Sequence, residues 1–89
     1  TVIDSNKAIA NGTKAPGSYD GIRVSNGANH SILKNNVSFN GGTNFQRNGL
    51  AVSSAGQHCI IKDNILKNSG VSSNLSDNGS DSIKEGNIE

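Results

Sequence analysis

The chain has 89 residues, a formal net charge of +1 and a pI near 7.8, which allows one domain at most and argues against a grip on nucleic acid made by charge alone. Leu, Ile, Val and Phe supply 20 residues, just above the level at which a chain stays disordered, so any core is thin. Asn occurs 14 times, Ser 13 and Gly 11, a composition that disfavours long helices and favours turns. No apolar run approaches the ~20 residues of a membrane span, and Cys59 stands alone, so no disulfide framework is expected. The chain contains no Met, so it is not expected to begin at its own start codon and is expected to be an excised segment, a processed product or a proteolytic piece.

In chain order, residues 1–12, "TVIDSNKAIANG", match the second half of a unit that is written out fully twice further on. Residues 10–20, "ANGTKAPGSYD", interrupt the pattern. The first full unit begins at Gly21 with "GIRV" and continues through "SILK" and "VSF"; the second begins at Gly49 with "GLAV" and continues through "CIIK" and "NIL". Sliding one unit onto the other needs an offset of 28 residues, which superposes Gly21 on Gly49, Val24 on Val52, His30 on His58, Lys34 on Lys62 and Asn36 on Asn64. Residues 43–48, "TNFQRN", interrupt the second unit where 10–20 interrupt the first. The tail "SIKEGNIE" follows the same pattern loosely, with Asn87 in the place of Asn64.

Each apolar cluster is short, β-branched and bounded by Gly, Asn or Ser, the mark of short strands ended by tight turns. Three strands within 28 residues leave no room for helical crossovers, and an internal period of this length is the signature of a repeat architecture. The expected fold is therefore all-β: a right-handed parallel β-helix, or solenoid, of about three coils. Residues 1–89 form a single unit, with coils at 21–48 and 49–76 and partial coils at both ends. Neighbouring strands ~4.8 Å apart then stack like on like. Asn6, Asn36, Asn64 and Asn87 are expected to form a side-chain amide ladder, and Ile32 over Ile60 and Val24 over Val52 to form apolar rows in the narrow core.

The units "GIRVSNGANHSILKNNVSFN" and "GLAVSSAGQHCIIKDNILKN" resemble coils of the right-handed parallel β-helix of the pectate-lyase-like superfamily, and the ending "NLSDNGSDSIKEGNIE" is similar to its fading last coil. The resemblance implies the C-terminal segment of a polysaccharide-recognising or polysaccharide-degrading protein, such as a secreted lyase or hydrolase or a phage tail spike. It also implies an extracellular or virion location, upstream coils as partners, a homotrimer as a form of assembly, and Ca²⁺ in the parent protein although no cofactor in this segment. Fold alone does not fix function.

The two interruptions place Tyr19, Phe45 and Arg47 on one flank, groups suited to stacking on a sugar and hydrogen-bonding it. Arg23, with Lys34 and Lys62, could line a basic strip for an anionic sugar; solvated edge lysines are the plainer account of that pair. Among the acids, Asp20 is the candidate catalytic carboxylate because it faces the interrupted flank, while a turn-capping role is the simpler one; no second acid recurs at a spacing that makes a hydrolytic pair. His30 and His58 stack without a third ligand, so no metal site is expected. Neither nucleic acid nor membrane is an expected partner. The competing expectation is structural: terminal spacer or capping coils that serve stability or assembly without catalysis.

Overall fold

The computed structural model describes residues 1–11, 15–25, 29–40, 45–54 and 56–89. Among these there is no helix. The strands are β1 (Val2–Asp4), β2 (Lys7–Ile9), β3 (Ile22–Val24), β4 (Ile32–Lys34), β5 (Val37–Phe39), β6 (Asn48–Val52), β7 (Ile60–Lys62), β8 (Ser73–Asp77) and β9 (Ile83–Glu85). All strand pairs are parallel and fall into three sheets, ordered β1-β4-β7-β9, β2-β5 and β3-β6-β8. Single parallel bridges extend the second sheet from Val37 to Ile65 and on to Ile88. From β1 to β6 the chain visits the three sheets in fixed rotation. Parts of both interruptions, residues 12–14 and 43–44, lie outside the described residues.

The registers are uniform. Ile3, Leu33, Ile61 and Lys84 form one row, Ile22, Leu50 and Leu75 a second, and Val24, Val52 and Asp77 a third. The core consists of Val24, Leu33, Leu50, Val52, Cys59, Ile61 and Leu66, with Ile3, Ile22 and Leu75 packed against it. Val24 and Val52 thus lie inside as expected, but Ile32 and Ile60 do not. They stack on each other, yet Ile32 is only half-buried and Ile60 is exposed, while the adjacent Leu33 and Ile61 are fully buried. Successive side chains of a strand point to opposite faces, so only one of two adjacent apolar residues can face the core. The outer row Val2, Ile32, Ile60 and Ile83 is left apolar and largely exposed.

The sharp turn between the first and second sheets is built by one device repeated four times. Ser5, Asn35, Asp63 and Gly86 all have φ between 55° and 69°, a left-handed conformation tolerated best by Gly and by short polar side chains that bond locally. Each is followed by an Asn whose side chain closes the turn. Asn36 Oδ1 accepts the backbone N–H of Asn6 at 2.9 Å and its Nδ2 at 3.2 Å. Asn64 Oδ1 accepts the same pair from Asn36 at 2.9 and 3.0 Å, and Asn87 Oδ1 from Asn64 at 3.1 and 2.9 Å. Each Nδ2 also donates to a strand carbonyl: Asn36 to Ile3, Asn64 to Leu33 and Asn87 to Ile61. The rows of Asn satisfy backbone groups that the turn would otherwise strand in the interior.

A second interior corner is polar. Gln46 is fully buried; its Nε2 donates to Ser69 O at 2.7 Å and Ser38 Oγ at 3.1 Å, its Oε1 accepts the Asn11 N–H at 3.3 Å, and its own N–H donates to Asn40 Oδ1 at 2.7 Å. Ser38 Oγ in turn donates to Gly49 O at 2.9 Å. Gly49 sits against this network with no space for a side chain: a Cβ there would lie 2.7 Å from Asn74 O and collide with the Ser69 side chain. Gly49→Ala is therefore expected to destabilise the chain by about 3 kcal/mol, the upper range for overpacking, measured as a lowered midpoint in urea with an unchanged slope.

At the last row two apolar rows give way to charged residues, Asp77 with a buried side chain and Lys84 half-exposed. Lys84 follows Ile61 and Asp77 follows Val52 in their respective rows, and Lys84 Nζ lies 3.8 Å from Asp77 Oδ2, whose side chain is 6% exposed. An ion pair closes the end of the core where two apolar rows stop.

Candidate functional site

The site lies where the chain enters the third sheet. The isolated bridge between Tyr19 and Gln46 and the hydrogen bond from Arg47 N–H to Tyr19 O (2.7 Å) align residues 19–20 with 46–48. The buried Gln46 network anchors this alignment from beneath. Gly17 N–H donates to Phe45 O at 2.8 Å, which fastens the described ends of the two interruptions to each other.

Asp20 is the centre of the arrangement. Its side chain is 2% exposed and accepts from three residues. Oδ1 accepts Arg47 Nε at 3.0 Å and Asn48 Nδ2 at 2.8 Å; Oδ2 accepts Arg47 Nη2 at 2.7 Å and Arg23 Nη1 at 3.4 Å. The Arg47 contact is the bidentate fork that matches guanidinium to carboxylate geometry. Burial by itself would raise the Asp20 carboxyl, but the hydrogen bonds from Arg47 and Asn48 and the charges of Arg47 and Arg23 outweigh it and hold the group below the usual carboxylate range. The same contact raises Arg47 above its ordinary value. Two cations share one anion, so the cluster carries a net positive charge. The outer parts of both arginines reach solvent, with 37% of the Arg47 side chain and 52% of that of Arg23 exposed.

A shallow groove of about 330 Å³ adjoins the cluster, bordered by Asp20, Arg23, Arg47, Asn48, Ser53 and Asn78. Its floor is low because Arg23 is followed in its row by Ala51 and Ser76. The Ser53 hydroxyl is buried and has no hydrogen-bond partner among the described residues.

The structure joins Asp20, Arg23 and Arg47 directly. Tyr19 is 58% exposed and next to Asp20 in sequence; Phe45 is half-buried and linked through its backbone. The side-chain contacts of Asp20 run to Arg23, Arg47 and Asn48, and each of them favours its ionised form. Lys34 and Lys62 belong to the β1-β4-β7-β9 sheet and Arg23 to the β3-β6-β8 sheet, so the three do not line one strip. Lys34 instead lies 3.7 Å from Asp4, whose carboxyl is lowered by hydrogen bonds from Ser5 and Asn35 and by Lys34. His30 and His58 stack with ring centroids 5.1 Å apart, and His58 Nδ1 lies 3.8 Å from Asp81 Oδ2. Among the described residues no group of three or more His, Cys, Asp or Glu is arranged to hold a metal ion.

Sequence reasoning missed the roles of Gln46 and Asn48. The signal for Asn48 was present: extending the 28-residue offset back by one position from Gly21 and Gly49 sets Asp20 on Asn48. No family model matches the chain, and searches of curated proteins and of solved structures find no match.

Proposed function

We propose that the three parallel sheets are the faces of a right-handed parallel β-helix and that this segment of it recognises an acidic polysaccharide through the Asp20–Arg23–Arg47 cluster. The fold reading is supported by the rotation of the chain through three sheets, by the uniform parallel registers, and by the right-handedness of crossovers between parallel strands. The functional reading rests on one observation: a buried carboxylate fixes two partly exposed guanidinium groups beside a groove. Arg donors left over from Asp20 suit the carboxylates of a uronic acid, and the Tyr19 ring suits the apolar face of a sugar. Asp20 then orients the arginines, and any lyase or hydrolase chemistry, with or without Ca²⁺, belongs to further coils. An extracellular or virion location is part of the same proposal.

Affinity electrophoresis tests the binding. Retardation is expected in gels containing a uronic-acid polymer and not a neutral glucan, with Tyr19→Ala binding about tenfold more weakly. Unretarded migration of the folded chain in both gels, or full binding by Tyr19→Ala, refutes the site.

Two observations favour a second, structural reading as terminal coils that cap or assemble. The Lys84–Asp77 pair charges the end of the core, as a terminal repeat requires. The outer row Val2, Ile32, Ile60 and Ile83 is apolar, as is the exposed pair Ile65 and Ile88, which suits lateral contact with further copies, a homotrimer included. Sedimentation decides it: a strictly monomeric folded chain at millimolar concentration contradicts assembly.

A further inference from the structure

The groove beside Asp20 carries its charge at one corner. It lies across the rows of β3, β6 and β8, a span of two strand spacings or ~10 Å, room for about two linked pyranoses. The first row contributes Asp20 and Arg23. The second contributes Arg47 and Asn48 where the chain enters β6, and Ser53 where it leaves; the third contributes Ser76 and Asn78.

Among the described residues that border the groove, Arg23 and Arg47 are the only cations, and both are tied to Asp20, with Arg47 Nη2 at 2.7 Å and Arg23 Nη1 at 3.4 Å. Two guanidinium groups and one carboxylate leave a surplus of one positive charge, held at this corner. Away from it the row of Arg23 continues with Ala51 and Ser76, and the border is neutral: Asn78 is exposed and its Nδ2 donates to Ser76 Oγ at 3.4 Å. Asp77, between them in sequence, has a buried side chain that faces Lys84 at 3.8 Å and accepts the Gly79 N–H at 3.0 Å. It is engaged within the protein and brings no unpaired charge to the groove.

A single carboxylate at the Arg23–Arg47 corner is matched charge for charge. A second carboxylate one pyranose further on, against Ser76 and Asn78, meets no cation and exchanges water for neutral partners, a net cost for an anion. Those same hydroxyl and amide groups both donate to and accept from the hydroxyls of a neutral sugar.

We propose, resting on the polysaccharide reading, that the site selects a glycan whose acid groups are separated by neutral sugars, with one uronic acid on Arg23 and Arg47 and its neutral neighbour over Ala51 against Ser76 and Asn78. A polymer with a carboxylate on every residue still binds but is the poorer ligand, although its higher charge favours it in long-range attraction to the cationic corner.

The probes are two octasaccharides of one backbone, carboxylated at every residue or at alternate residues, each made on a glucose and on a galactose backbone. Their affinities are measured by titration calorimetry at fixed ionic strength for the unaltered chain, Asn78→Lys and Arg47→Ala. On the better-bound backbone the alternating probe is expected to bind about tenfold more tightly than the fully acidic one, against the order of their charges. Asn78→Lys places a cation at the neutral corner on an exposed side chain and keeps the backbone N–H that donates to Val52 O; it is expected to abolish or invert the preference, while Arg47→Ala weakens both probes. Equal affinities, or tighter binding of the fully acidic probe, with both lost in Arg47→Ala, overturns the alternation and leaves the recognition site standing. A preference that Asn78→Lys does not move overturns the placement of the neutral sugar. Binding untouched by Arg47→Ala, or no binding of either probe on either backbone by the folded chain, overturns the recognition site and the alternation with it.

Discussion

Asn64→Ala is expected to lower the unfolding midpoint by roughly 20 °C. The substitution removes four hydrogen bonds, two accepted from Asn36 and two donated by Nδ2 to Leu33 O and Asn87 Oδ1. It strands the N–H of Asn36, a fully buried residue, while the Leu33 carbonyl loses one donor but stays within the β4–β7 ladder. At roughly 1–3 kcal/mol for the orphaned N–H and roughly 0.5–1.5 kcal/mol for each of the other hydrogen bonds removed, the loss is about 4 kcal/mol, a large share of the ~5–15 kcal/mol that holds a small domain together. Asn87→Ala is expected to cost less, because the last member of the row is only half-buried and water can replace the lost partners. Thermal unfolding followed by circular dichroism checks both; equal midpoints for Asn64→Ala and the unaltered chain would mean that the amide row carries no stability.

Arg47→Ala is expected to have the largest functional effect and a distinctive acid signature. The folded-state pKa of Asp20 lies below its ordinary value, so the stabilisation it provides is complete above the unfolded carboxyl range near pH ~4 and is lost as pH falls through the lower folded value. Removing Arg47 takes away both bonds of the fork and leaves Asn48 and Arg23 against the same burial. The Asp20 pKa then rises, so Arg47→Ala is expected to be less stable than the unaltered chain at neutral pH, with the difference shrinking as pH falls through the acid range. Polysaccharide binding is expected to fall at least about tenfold, since the groove loses its best-fixed cation. Arg47→Lys retains charge but not the fork and is expected to recover little of either property. Binding and midpoints measured from pH 7 down to pH 2 separate these outcomes; an acid limb unchanged by Arg47→Ala would dissociate Asp20 from Arg47.

The period of the chain was legible because every strand must match the strand beside it, and residues with one good partner, such as Asn36 on Asn64, are forced to repeat. Parallel pairing of Val24 with Val52 follows from the same offset. What the sequence did not settle is which of two neighbouring apolar residues faces inward. In "SILK" and "CIIK" both central positions are apolar, and strand alternation in the observed register turns Leu33 and Ile61 inward and Ile32 and Ile60 outward. The candidate site was legible as a set of residues but not as a circuit. Asp20 lies 27 residues before Arg47, and their pairing depends on Gln46, a polar residue buried completely, which composition rules place at the surface. The charged last row was legible only in retrospect, because Lys84 and Asp77 are ordinary surface residues by type and are unusual only by row.

Chemical-shift mapping of the uniformly labelled, folded chain against an oligosaccharide of uronic acids addresses the recognition site directly. The account requires saturable shifts centred on Tyr19, Arg23, Arg47 and Asn48, with the Arg47 Nε resonance among the most displaced, and their loss in Arg47→Ala. Shifts centred on the outer row Val2, Ile32, Ile60 and Ile83, or none at millimolar oligosaccharide, would contradict it.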